Sequence, residues 1–449
     1  MKHTSNRITT IIIIVVLVLG SYSNAAASTS WKSAALGRVY YVSTSGNDSY
    51  AGTSTAPFRT FAKAVSVLTA GDTLRILPGI YSQILRIRQS GTLASPIAVI
   101  GTGAVIDLGN GAGPALKLAG SHIQVTGLQV RRVHGICVGL SGNYITLQRL
   151  VVQTCSSHGI NTGENAHIRI LNSKIFNTVL MNRARTLTSG WGSAIKVRVS
   201  DDVLIEGNTI YRNYGEGIGS RGTNITIRGN RVFDNYSVNI YTNSENALIE
   251  KNFVYCTPNS GLERNGKPAG GIGLAEEYFA GWGARLSNAR ILNNIVTYCK
   301  NGVRYDGADT ALVGGGLKYA TIAYNTFYGS VEASIGIVYA SAQAGNVIAN
   351  NIVWQATNKL VSIENSSGIS FQNNLWKVLP PAFARSGGDQ IGGPNFLVQP
   401  PKYKPADYRP ASSSIAAGAA VDMNVLEDYF SSPRSTPFDI GAVQISTGN

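Results

Sequence analysis

Apolar and polar residues alternate in short runs along most of this chain. "VLIEGN", "ITIRGN", "ALIEKN", "ARILNN", "ATIAYN" and "NVIANN" place apolar side chains at alternate positions and then stop at Asn. A period of two belongs to a strand, whose successive side chains leave opposite faces. A second short apolar run follows each Asn, as in "TIY", "RVF" and "FVY". Asn208, Asn230 and Asn252 stand 22 residues apart, and the same residue returns at 294, 325, 351 and 374, with Asn172 upstream. A repeat of that length, holding three short strands and three turns, predicts one coil of a parallel β-helix. Coils stack at ~4.8 Å and each strand pairs with its copies above and below. An Asn at a turn bonds local backbone, tolerates a left-handed conformation, and stacks on the Asn of the next coil. The repeated Asn is therefore read as architecture.

A second word recurs in the third strand: "HGICVG", "HGINTG", "SAIKVR", "EGIGSR", "VNIYTN", "GGIGLA", "NGVRYD" and "IGIVYA". Its third letter is always Ile or Val, at Ile136, Ile160, Ile195, Ile218, Ile240, Ile272, Val303 and Ile337. These point inward, and their neighbours point out. The first outward column then reads Cys137, Asn161, Lys196, Gly219, Tyr241, Gly273, Arg304, Val338. A second outward column contains Arg198, Arg221, Asn243 and Asp306. On the other side stand His134, His158, Ser193, Glu216 and Val238.

Composition narrows the class. Only 14% of residues are charged and Gly numbers 50, which is turn-rich and β-like. Four cysteines, Cys137, Cys155, Cys256 and Cys299, are too few for a disulfide scaffold, and no CxxC pair supports a zinc site. One or two bridges are allowed. Lys2 and Arg7, the apolar run Ile11 to Leu19, and Ala25-Ala26-Ala27 read as a signal peptide over residues 1–27. The rest is expected to divide into a β-helix over 28–400 and a further segment over 401–449. A net charge of +14 steers the chain toward polyanions, acidic polysaccharides included.

The ends resemble a known family. Residues 40–81, "YYVSTSGNDSYAGTSTAPFRTFAKAVSVLTAGDTLRILPGIY", are similar to the opening of secreted right-handed parallel β-helix proteins of the pectate-lyase-like superfamily. The tail, "DYRPASSSIAAG" and "FDIGAVQ", resembles their closing segment. The resemblance implies an all-β, right-handed parallel β-helix solenoid, with Pro57 to Leu68 forming a short capping helix. "GEGIGSRG" (215–222) also looks like a Glu-plus-five-cation motif of alginate and chondroitin lyases with this fold. That likeness implies a Ca2+ ion held with Glu216 and a base at Arg221. The motif departs in having Arg where those lyases have Lys, and Tyr214 where a second acid is expected.

Chemistry is expected where the outward columns are charged. Lys196, Arg198, Glu216, Arg221, Tyr241 and Asn243 gather over a few coils, with Gly219 leaving a gap beside Lys196. This suits β-elimination of an acidic polyuronide. The uronate carboxylate must be neutralised, by cations or Ca2+, and a base must work near its own pKa. A Lys crowded by cations has its pKa lowered. Lys196 is therefore cast as base, with Arg198 and Arg221 on the carboxylate. Tyr241, Asn243, Trp191 and Arg304 are added as substrate contacts, and Glu216, Asp201 and Asp202 as metal ligands. Asp201-Asp202 also occupies the turn place held elsewhere by Thr223-Asn224 and Glu245-Asn246, so turn chemistry is its first reading. Leu180 to Trp191 and Thr257 to Pro268 lengthen their coils and are expected to wall the groove, with Arg183 and Arg185. The expected partner is an acidic polysaccharide, with no nucleic acid, no membrane after signal cleavage, and a monomeric chain. A non-catalytic polysaccharide-binding module is the alternative. A glycoside hydrolase is the third reading, although the carboxylate motifs of polygalacturonases are not in order here.

Overall fold

A computed structural model describes residues 37–277, 286–307, 315–339, 342–355, 357–399 and 401–445. The signal-peptide segment lies outside the described residues. Short strands pair in parallel, coil upon coil, into hydrogen-bonded sheets of 22 and 13 strands among the described residues. Ile160, Ile195, Ile218, Ile240, Ile272 and Val303 are register partners in successive coils, all at most 1% exposed. The alternation had placed these six inward correctly.

The two outermost words sit in another frame. Val138, not Ile136, pairs with Ile160, and Ile335, not Ile337, pairs with Val303. The outward column therefore holds Gly139 and Gly336 where Cys137 and Val338 were expected. A slip of two residues keeps every side chain on its own face, so alternation alone does not detect it. Cys137 is buried and bonded to Cys155, and Cys256 is bonded to Cys299.

The Asn repeat forms a buried amide ladder. The Nδ2 of Asn208 donates to Oδ1 of Asn230 at 3.0 Å, and Asn230 to Asn252 at 3.0 Å. The chain of donors continues through Asn294, Asn325, Asn351 and Asn374 at 2.9–3.0 Å. Each amide also donates to a core-strand carbonyl, as Asn252 does to Ile227 at 2.8 Å. Upstream the ladder ends on Ser173, whose N–H donates to Asn208 Oδ1. Asn172, expected as a rung, is one place off: it is the left-handed corner residue, with φ 49°. The ladder tolerates unequal coils, with rungs 22 to 42 residues apart.

The N-terminal end is covered. The predicted cap is the helix Phe61–Ser66, whose N-cap Thr60 side chain accepts from Lys63 N–H. It buries Phe61, Ala64 and Val65. The C-terminal segment runs along the flank of the stack. Phe396, Tyr408, Ile440, Ala442 and Val443 pack on the outward residues Phe253, Ile295, Ile352 and Leu375 of the 13-stranded sheet. It also bonds the corner residues of successive coils. Lys251 meets Glu427, Asn293 meets Glu427 and Arg434, Tyr324 and Asn350 meet Val421, and Asn373 meets Ala419. Arg434 is buried, with its guanidinium 4.0 Å over the Tyr324 ring.

Asn252 is fully buried and both gives and takes ladder bonds. Asn252→Ala orphans partners on two coils and is expected to lower unfolding stability by about 3 kcal/mol. Asn246, in an exposed ladder with Asn224 and Asn288, provides the contrast. Asn246→Gly, which keeps the left-handed turn available, is expected to cost less than about 1 kcal/mol. Urea unfolding of both variants measures the difference; equal losses would remove the ladder from its structural role.

Candidate functional site

Four strands, Ser193–Glu206, Glu216–Arg228, Val238–Glu245 and Gly270–Ala275, lie side by side in parallel register. Lys196 is opposite Gly219, Gly219 opposite Tyr241, and Ser193 opposite Glu216. The expected gap over Gly219 is filled from within. A Cβ there would stand 2.2 Å from Glu216 Oε2 and 2.4 Å from Ser193 Oγ, so only glycine leaves room for the Glu216 carboxyl. Ser193 Oγ donates to Glu216 Oε2 at 2.5 Å. The Ser193 N–H donates to His158 Nδ1 at 3.1 Å. A polar relay, His158 to Ser193 to Glu216, thus runs along the axis beneath the outer face.

Burial sets the protonation of this cluster. Glu216 is only 8% exposed. Burial raises its pKa, while Lys196 and the Ser193 hydroxyl act in the opposite direction. Burial lowers the pKa of Lys196; the nearby Glu216 opposes this and Arg221 adds to it. No hydrogen bond or salt bridge ties the Lys196 amine among the described residues. Tyr241 is pushed well above its ordinary 10, first by burial and then by the Glu277 and Glu216 charges. Its hydroxyl is buried beside Glu277. Arg221 is ion-paired with Glu277. The arrangement joins an amine and a carboxyl, both moved toward neutrality, to an arginine and a second carboxylate.

The remaining expected residues divide. Lys196, Glu216, Arg221 and Tyr241 come together. Arg198 follows a register shift after Val197, and its exposed guanidinium sits 3.4 Å from Glu164, though its charge still reaches Lys196. Asn243 is fully buried, and its amide bonds the backbone of Ala275 and Glu277. It positions Glu277 and does not face a ligand. Arg304 is four pairing steps from Lys196, on the order of 19 Å along the axis, and lies outside the cluster. Trp191 is a strut between the two insertions: Arg264 covers its ring at 4.4 Å and Tyr236 meets it edge-on. Arg185 joins the same clasp through Gly261.

The metal set does not assemble. Asp201 caps the exposed Asn ladder, accepting from Thr223 Oγ1 at 2.7 Å and Asn224 Nδ2 at 2.8 Å. Asp202 is a left-handed corner residue paired with Arg169 and His167. Both lie in the middle of the strand Ser193–Glu206, well removed from the Ser193 end that meets Glu216. Among the described residues no group of three or more His, Cys, Asp or Glu is placed to hold a metal. The residues Glu216, Asp201 and Asp202 therefore do not fit a Ca2+ ion. Sequence reasoning missed Glu277, which reaches Arg221 across 56 residues of chain, and gave Ser193 and His158 no role. The column of His134, His158, Ser193, Glu216 and Val238, two residues before each Ile or Val, was the signal that linked them.

Comparison with known proteins agrees with the fold. Residues 40–247 match the family described as Pel9A-like, right handed beta helix region. The crystal structure of pectate lyase Pel9A superposes with a TM-score of 0.60 and 16% identity, covering 91% of this chain and 96% of that one. A rhamnogalacturonan lyase gives 0.52 and 16%, covering 92% and 96%. The alginate lyase AlyGC of family PL6 gives 0.50 and 15%, covering 75% and 53%. A stretch of 61 residues is 43% identical to the uncharacterized protein YwoF of Bacillus subtilis (strain 168), spanning 14% of this chain and 13% of that protein. The chain is a right-handed parallel β-helix protein, and residues 40–247 of it are similar to the Pel9A-like family.

Burial holds His158 neutral, lowering its pKa from 6.5 to about 4. On acidification the unfolded chain takes up that proton first. Stability is therefore full above about 6.5 and is lost as pH falls toward about 4, by roughly 3 kcal/mol in all. His158→Asn keeps an acceptor for the Ser193 N–H and is expected to flatten that loss by a similar amount. Urea unfolding of both proteins across this window tests it; identical acid slopes would refute the assignment.

Proposed function

We propose that this protein is an exported polysaccharide lyase that cuts an acidic polyuronide by β-elimination, with Lys196 as the base. One observation carries the reading. Lys196 sits on the outer face of the coils without a salt bridge among the described residues, in surroundings that disfavour its charged form. The neutral amine takes the C5 proton of a uronate. Charge developing on the carboxylate is met by Arg198 and Arg221, the latter presenting its planar set of donors alongside Glu277. The C4–O4 bond breaks, a C4=C5 double bond forms, and the departing O4 takes its proton from the Glu216 carboxyl, whose protonated form is favoured by burial. Two disulfides favour an oxidising compartment, in keeping with export. The overlap with lyases over nine-tenths of the chain supports a polysaccharide substrate.

A glycoside hydrolase is the second reading, favoured by the electrostatic contact between Glu216 and Glu277. Hydrolysis needs such a pair of carboxyl groups around the scissile bond.

Incubation with pectate, alginate and chondroitin separates the two. A lyase yields unsaturated products that absorb in the ultraviolet. Lys196→Ala is expected to lower that rate by about 100-fold or more. The wild-type rate should rise with pH, through an apparent pKa below the ordinary lysine value of 10.5. Reducing ends without ultraviolet absorbance, lost in Glu277→Gln and kept in Lys196→Ala, would establish hydrolysis instead.

A further inference from the structure

The outward column that carries Lys196 continues toward the capping helix. Register places Lys196 beside Asn161, Asn161 beside Gly139, Gly139 beside Lys117, and Lys117 beside Arg86. Arg88 lies two residues beyond Arg86, on the same outward face. The span from Lys196 to Arg86 is four pairing steps, on the order of 19 Å. Glycine opens the middle of it. A Cβ at Gly139 would stand 3.6 Å from Lys117 Cδ, so the lysine stem lies over Gly139, toward Lys196, and its ammonium reaches Ser141 Oγ.

Charge is distributed unevenly along this column. Arg86, Arg88 and Lys117 form no salt bridge among the described residues. On the other side of Lys196, Arg304 is answered by Asp306 at 3.7 Å. Next to it Glu332 holds Lys267 at 2.6 Å and Lys300 at 3.9 Å, and also feels the Arg304 charge. The cationic arm thus runs one way only. It ends at a cavity of about 490 Å³ under the capping helix, lined by Arg86, Arg88, Gln89, Phe61, Val65 and Ile84.

We propose that an extended polyuronate binds along this arm, from Lys196 over Asn161 and Lys117 to Arg86 and Arg88, and not toward Arg304. The proposal rests on Lys196 marking the cleavage point. A linear polyanion suits the arm because its carboxylates recur along one axis, as the cations do. A compact anion would gain from only one of them.

The test is binding of oligogalacturonides graded in length to the full chain carrying Lys196→Ala, measured by calorimetry at low and high salt. Affinity should rise with length. Adding R86Q and K117Q should weaken long oligomers by up to about five-fold for each cation, spare the shortest, and reduce the salt dependence. R304Q should change neither. Long oligomers that bind no better than short ones, or an R304Q loss equal to that of R86Q with K117Q, would overturn the arm. The same variants in the Lys196 background then separate the two readings. Cleavage with no effect of R86Q and K117Q sinks the arm and leaves the lyase. Length-dependent binding through Arg86 and Lys117, with no polyuronate cleaved, keeps the arm and sinks the lyase.

Discussion

A buried side-chain amide offers more hydrogen-bonding capacity than one coil can satisfy. Asn208, Asn230, Asn252, Asn294, Asn325, Asn351 and Asn374 are at most 1% exposed, so each must find its partners in protein. The solution is an identical residue one coil away, taking the amide proton at 2.9–3.0 Å. That requirement aligns the coils. With the corners locked, strands on either side have no freedom to slip, and the Ile column falls into register. The position of Lys196 opposite Gly219, and of Ser193 opposite Glu216, follows from it.

The cluster on the outer face is a different kind of arrangement. Structural ladders repeat the same residue, and each coil is satisfied by its copy. Here successive coils contribute unlike residues: His158, Ser193 and Glu216 in one column, Lys196, Gly219 and Tyr241 in the next. The result is a place where burial works against charge on both Lys196 and Glu216. Ion pairing at Arg221 and hydrogen bonding at Asn243 hold Glu277 alongside. Departure from repetition is what distinguishes this face chemically from the rest of the solenoid.

Much of this was legible in the chain, and its limits have physical causes. The ladder and the inward Ile were readable because each is a local pattern repeated many times. Lys196, Arg221, Glu216 and Tyr241 followed from stacking equivalent words. Errors came where the pattern is degenerate. Ile136 and Val138 are both apolar and stand at alternate positions, so the frame of that coil was ambiguous. Asn172 and Ser173 both suit a corner, and the shorter side chain took the rung. Asn243 looked outward by position, yet its amide is taken up by the backbone of Ala275 and Glu277. Glu277 itself was invisible, because it lies two residues past the strand Gly270–Ala275, outside the repeated word, and no repeat carries it to Arg221.

The flank-lying C-terminal segment bears on how the molecule comes apart. In a simple stack each coil touches only its neighbours, so terminal coils can peel away one at a time. Here a single stretch of chain is fastened to Lys251, Asn293, Tyr324, Asn350 and Asn373 in turn. It acts as a splint laid across five successive coils, tying together coils that are not neighbours. Fraying from that end must strip the splint first, so the distal coils rise and fall as one cooperative block. The free edge of the solenoid is moved inward, away from the strand that ends the sheet.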